Sequence, residues 1–160
     1  MTILVVDDEP DILDTVEEEL EMCLVHKARD YETALEYLLS YTYNIVILDI
    51  MGVNGFELLK VSVSRGFPSV MLTAYALTPE ALKKSIKLGA VFFLPKEKLP
   101  ELRDLLEDII QNGNKPSWMK FFDKLGAYFN RHFGPDWKEK DKFFKEFEES
   151  LKTSEKRESF

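Results

Sequence analysis

An alternation restricts this chain more than any other feature. Apolar, β-branched runs recur at wide spacing: Ile3–Val6, Leu24–Ala28, Ile45–Leu48, Ser69–Leu72 and Val91–Leu94. Between them apolar residues return at helical intervals. Ile12, Leu13, Val16 and Leu20 form one face. Ala34, Leu35, Leu38 and Leu39 form another, behind Asp30 as N-cap, and Phe56, Leu58, Leu59 and Val63 form a third. Thr78 and Pro79 open a fourth helix that reads to Gly89, and Pro100 opens a fifth with Leu102, Leu105, Leu106 and Ile109 inside. Continuous apolar strands joined by crossover helices demand a parallel sheet covered on both faces, an α/β fold over residues 1–110.

In such a sheet, sites form beyond the carboxyl ends of the strands. Asp7 and Asp8 follow the first run, Asp49 the third, Thr73 the fourth and Lys96 the fifth. Each has a plain structural explanation alone. Acids cap helices, threonine caps the next helix, and a loop lysine is usually solvated. Asp49 resists this, because aspartate is depleted in strands. Three carboxylates on one edge repel, by roughly 4 kcal/mol per pair ~4 Å apart at an effective dielectric of 20. They either raise a pKa or hold a cation. With only oxygen donors the cation of choice is Mg²⁺. A carboxylate nucleophile, a divalent ion, a hydroxyl and an ammonium make a phosphoryl-transfer set.

Residues 1–110 resemble the receiver (CheY-like) domain of two-component response regulators, on "ILVVDDEP", "IVILD", "MLTA" and "GAVFFLPK" in that order. The resemblance implies a flavodoxin-like doubly wound (βα)5 sheet of strand order 2-1-3-4-5. It implies Asp49 as phosphoacceptor, Asp7, Asp8, Asp49 and the Met51 carbonyl as Mg²⁺ ligands, and Thr73 and Lys96 as phosphoryl-binding groups. Phe93 would be the switch aromatic paired with Thr73; its alternative is plain core packing. The partners implied are a histidine kinase or phosphotransferase as donor and a downstream protein target, in the cytoplasm. Such a domain catalyses only its own phosphorylation and autodephosphorylation. A pseudo-receiver that keeps the fold without being phosphorylated is the competing reading. The sequence departs from the family in a shorter loop after Asp49, in a longer Thr73–Lys96 segment and in Pro95-Lys96 where Lys-Pro is usual. Met51 and Tyr75, each two residues beyond a site residue, imply slow autodephosphorylation.

A polar linker, residues 111–117, ends the alternation. Residues 118–152 then read as an aromatic-rich helical hairpin, and residues 153–160 as a frayed tail. Eleven of the chain's 20 aromatic residues lie in the last 50. Trp118, Phe121, Phe122, Leu125, Tyr128 and Phe129 make one stripe, and Phe143, Phe144, Phe147 and Leu151 a second, with Asp136 as N-cap between them. A helical pair hides only its inner stripes, so these rings need another surface: the receiver, a second chain in a homodimer, or a partner.

Charge bears on the output. Residues 1–110 hold ten Lys and Arg against twenty Asp and Glu, and residues 111–160 hold eleven against nine. An acidic body and a tail of interleaved sign argue against nucleic acid. A transcription regulator with a minimal output is the alternative. No apolar run reaches the ~18 residues of a membrane span, and no basic leader precedes the first strand. Cys23 reads as a small core residue. His26 and His132 have no partner at metal-ligand spacing.

Overall fold

The computed structural model describes residues 1–75, 77–114 and 118–158. Five parallel strands form one sheet: β1 (Thr2–Val6), β2 (Leu24–Ala28), β3 (Ile45–Asp49), β4 (Ser69–Thr73) and β5 (Phe92–Pro95), in the order β2-β1-β3-β4-β5. The helices are α1 (Pro10–Glu19), α2 (Tyr31–Ser40), α3 (Gly55–Ser64), α4 (Pro79–Lys87) and α5 (Leu102–Gln111), the last entered through a 3₁₀ turn, Lys96–Glu101. The step from β1 to β2 runs against all later ones. Right-handed crossovers therefore place α1 and α5 on one face and α2, α3 and α4 on the other. Packing of α1 on α5 and of α2 on α3 agrees.

β1, β3 and β4 are buried on both faces, which is why they read as unbroken apolar runs. β2 is an edge and is half exposed. The helix starts follow their caps. Asp30 accepts from the Thr33 N–H at 2.8 Å and Thr78 from the Ala81 N–H at 3.1 Å. Pro10 and Pro79 stand in first turns, where a missing N–H costs nothing.

The hairpin is α6 (Trp118–Phe133), a single turn α7 (Trp137–Lys140) and α8 (Lys142–Glu158). It differs from the sequence reading at two points. Asp136 stands before α7 without a side-chain cap, whereas Asp141 accepts from the Phe143 N–H at 2.8 Å at the start of α8. α8 also continues past residue 152 to Glu158. Linker residues 115–117 and the terminal residues 159–160 lie outside the described residues.

α6 runs along the open edge of the sheet at β5. Phe92 and Phe93 are neighbours in a strand and point to opposite faces. Phe92 stacks on Trp118 at 6.3 Å and meets Phe121 at 5.1 Å, while Phe93 meets Phe129 at 6.0 Å. Both faces of β5 thus touch one helix, and a helix covers an otherwise unpaired strand edge. Charge fastens the flanks. Lys83 of α4 pairs with Asp141 at 2.6 Å, and Lys124 of α6 pairs with Asp108 of α5. Trp118, Phe121, Phe129, Trp137 and Phe144 are all buried, joining the hairpin to the receiver core as one apolar cluster. Each buried ring contributes on the order of 2–3 kcal/mol.

Candidate functional site

The parallel register sets the site. Val6 pairs with Leu48, Asp49 with Leu72 and Thr73 with Pro95, so the strands end on one level. Asp7 and Asp8 leave β1 at the point where the strand order reverses. Asp49 ends β3, Thr73 ends β4 and Lys96 follows β5. All five residues expected from the sequence meet at this edge. Asp7 is wholly buried, Asp49 and Thr73 nearly so, and Asp8 is exposed.

One oxygen from each of Asp7, Asp8 and Asp49 lies within 4.8 Å of the others. Lys96 Nζ lies 2.9 Å from Asp7 Oδ2, 3.5 Å from Asp49 Oδ1 and 3.5 Å from Glu9 Oε1. Asp7 Oδ1 accepts from the Glu9 N–H at 2.9 Å, so the capping role of this acid is real and uses only one of its oxygens. Asp7 Oδ2 is buried and, despite its ion pair with Lys96, accepts no well-aligned hydrogen bond.

The protonation equilibria follow from this crowding. Burial, then the charge of Asp7, pushes Asp49 up to about 7 against the pull of Lys96. Burial also raises Asp7, by more than the nearby Lys96 ammonium and the Glu9 N–H lower it. For Lys96 burial works against the charged form, but Asp7, Asp49 and Glu9 outweigh it and hold the ammonium above its ordinary range. One ammonium does not neutralise this group of acids. A buried oxygen that accepts no well-aligned hydrogen bond, beside a carboxyl pushed up by burial and like charge, fits a divalent cation with oxygen ligands.

The loop after Asp49 closes on the same point. Gly52 has φ +85°, and a Cβ there would stand 2.6 Å from Asp8 Oδ2. A Cβ at Gly55 would stand 2.0 Å from the Asp49 carbonyl oxygen. Only glycine lets this shorter loop pass so near both acids. Met51 precedes Gly52 and is exposed, as is Tyr75 at 83%. Peptide bonds among the described residues are trans, including those flanking Lys96.

Sequence reasoning missed Gly52, Glu9 and Tyr128. The glycines of "MGVNG" were a usable signal for the first. Tyr128 had none, since its place beside Thr73, Pro95, Lys96 and Glu97 arises only when α6 docks. Phe93 is fully buried with its ring against Phe129. His26 bonds the Tyr43 hydroxyl through Nδ1 at 2.8 Å, and the His132 ring lies tilted against Tyr128 with centroids 4.3 Å apart; neither belongs to the acidic cluster. Cys23 is half-buried rather than a core residue.

The sequence model described as the response regulator receiver domain matches residues 3–107. The chain is 32% identical over 122 residues to the two-component response regulator ARR18 of Arabidopsis thaliana. That match covers 72% of this chain and 19% of the plant protein, so the chain spans about one fifth of the relative's length. Among solved structures it resembles a CheY-like receiver domain protein from Methanospirillum hungatei JF-1, at 32% identity and a TM-score of 0.61, covering 69% of this chain and 91% of that one. It also resembles the BeF3-activated DrrB receiver domain, at 26% identity and a TM-score of 0.62, covering 69% and 97%.

Proposed function

The chain belongs to the response regulator receiver family of two-component signalling, and from that premise we propose that it takes a phosphoryl group onto Asp49 from a phosphorylated histidine of a kinase or phosphotransferase. The observation that carries the reading is the meeting of Asp7, Asp8 and Asp49 within 4.8 Å, with Lys96 bridging two of them.

An Asp49 oxygen supplies the electron pair for the new P–O bond while the donor's P–N bond breaks and the imidazole nitrogen keeps its pair. Lys96, set between Asp7 and Asp49, offers an ammonium to the oxygens of the transferred group. Thr73, at the end of the neighbouring strand, offers a hydroxyl to the same group. Asp7, Asp8 and Asp49, with the Met51 carbonyl, would hold Mg²⁺. When bound, that ion neutralises charge on the phosphoryl oxygens and keeps Asp49 ionised. Burial of Asp7, Asp49 and Thr73 limits water, which supports a slowly hydrolysed acyl phosphate.

The output is a change in protein–protein contacts. The aromatic stripe of α6 lies against β5, and the charges of α6–α8 are interleaved in sign, which supports protein interaction over DNA binding. Among the described residues no helix is long and apolar enough to cross a membrane, which is consistent with action in the cytoplasm. The domain acts on no other substrate: its only chemistry is its own phosphorylation and dephosphorylation.

The test is incubation with a small acyl phosphate donor, with and without Mg²⁺. A phosphoryl adduct labile to hydroxylamine, absent in chelator and absent in Asp49→Ala, is expected. A chain that stays unmodified with Mg²⁺ and donor in excess contradicts the reading and returns the pseudo-receiver.

A further inference from the structure

The two ends of the sheet differ in what they leave uncovered. Among the described residues eight large apolar side chains are exposed, and four of them, Met1, Met22, Leu24 and Ile110, gather at the amino end, opposite Asp49. α1 and α5 pack side by side, and their C-terminal ends reach this level. Between them Met1, Leu20, Met22, Cys23, Leu106 and Ile110 line a cleft of about 110 Å³, with Arg103 and Glu107 on its α5 wall. Arg103, Leu106, Glu107 and Ile110 stand at i, i+3, i+4 and i+7, so one whole stripe of α5 faces the cleft. The Leu24 N–H donates to the Met1 carbonyl at 2.8 Å, which carries the apolar strip on to the edge strand β2. A single exposed leucine needs no explanation, but an apolar groove continued on the surface marks a contact.

The rim is acidic. α1 closes on Glu17, Glu18 and Glu19, with Glu21 just beyond, and neither α1 nor α5 has a basic residue in its last turn. Two helix C-termini thus present their negative ends together. Glu17 is held by Lys27 at 2.7 Å and Glu107 by Arg103 at 3.8 Å, whereas Glu18, Glu19 and Glu21 have no ion pair among the described residues. A second copy, itself of net charge −8, would bring like charge to this rim. A helix with an apolar stripe and a basic face brings the opposite charge. The methionine thioethers on their flexible stems adapt to such a stripe, and the glutamates meet its Lys and Arg.

We propose that the groove between the C-terminal ends of α1 and α5 is a docking site for a basic amphipathic helix of a partner protein. The cleft takes one anchoring apolar side chain, and the acidic rim fixes the charge of the face around it. The groove lies a strand length, ~15 Å, from the carboxyl edge. The partner is therefore held without touching the acidic cluster, and the inference stands whether or not Asp49 is phosphorylated.

Cys23 is the chain's single cysteine and lies half-buried in the cleft, so its alkylation rate reports occupancy. The probe is a synthetic helix of about 18 residues with a leucine stripe and a lysine face. Two controls keep its length: one scrambles the stripe, and one carries glutamate for lysine. Binding to the full chain is measured by calorimetry and by iodoacetamide labelling of Cys23. One-to-one binding of the lysine helix, with alkylation slowed several-fold and neither control effective, is expected. Met22→Ser and Ile110→Ser leave the charge unchanged, and each should weaken binding about 10-fold, the usual cost of losing an apolar anchor. Both residues are exposed, and unchanged emission from the buried Trp118 and Trp137 verifies that the variants stay folded. Glu18→Gln combined with Glu21→Gln should weaken binding several-fold. Binding that leaves Cys23 unprotected, or that both serine variants retain in full, overturns the groove as the site. Equal binding of the glutamate helix overturns the basic partner. Protection of Cys23 that rises with chain concentration alone, with a doubled mass in solution, gives the groove to a second copy and overturns the proposal.

Discussion

The carboxyl edge of the sheet and the hairpin that covers β5 are neighbours held together by opposite physics. At the edge, three carboxylates and one ammonium sit close in a site largely shielded from water, and the folded state bears a cost that only a proton or a cation removes. In the hairpin, rings pack on rings and nearly every contact favours folding. The difference separates what is built to change from what is built to persist. An arrangement strained by like charge responds to a ligand, whereas an apolar clamp resists unless something levers it.

Changes in the clamp should cost most. Phe129 is fully buried and meets Phe93, Phe121 and Phe133. Phe129→Ala is expected to lose about 3–5 kcal/mol, by denaturant titration followed through tryptophan emission. A loss under about 1 kcal/mol would mean that the hairpin does not share the receiver core.

The edge should respond with the opposite sign. The folded Asp49 carboxyl keeps its proton up to about pH 7, whereas its unperturbed value is 3.8. The folded state thus binds more protons than the unfolded one across this window, so stability falls as pH rises through it. Asp49→Asn is therefore expected to stabilise the chain by about 2–4 kcal/mol at pH 8 without divalent ions. The gain should vanish below about pH 4 and shrink when Mg²⁺ is added. Equal melting of both proteins from pH 4 to 8 would break the contrast between the two regions.

Smaller effects sharpen it. Gly52→Ala sets a Cβ against Asp8 at a positive φ. It is expected to weaken Mg²⁺ binding on the order of 10-fold by calorimetry, a shift typical of disturbed neighbours of metal ligands. Smallest is the phosphoryl lifetime. Met51 and Tyr75 are exposed and offer no carboxylate or amide to an attacking water. Met51→Asn or Tyr75→Glu should speed loss of label several-fold, and a fast decay unaltered by either change would remove these residues from the account.

The receiver was legible because its signals are local. Apolar runs mark the buried strands, Asp30 and Thr78 mark helix starts, and Asp49 at the end of an apolar run marks the site. The hairpin's stripes were equally local, and so was the inference that its rings need another surface. Where they dock was not legible, because the match between α6 and the β5 edge depends on shape across two distant segments. The same holds for Tyr128, one ring of the α6 stripe, and for Glu9, whose place beside Lys96 arises only in the fold. The capping detail at Asp141 depended on a turn, α7, too short to carry a periodic pattern.

The chemical identity of the modified residue tests the central claim most directly. Phosphorylated chain is reduced with borohydride, which converts an aspartyl phosphate to the corresponding alcohol, and the product is located by peptide mass mapping. The account predicts one reduced residue, at position 49, formed only when Mg²⁺ was present. Reduction at Asp7 or Asp8, or labelling indifferent to Mg²⁺, would contradict it.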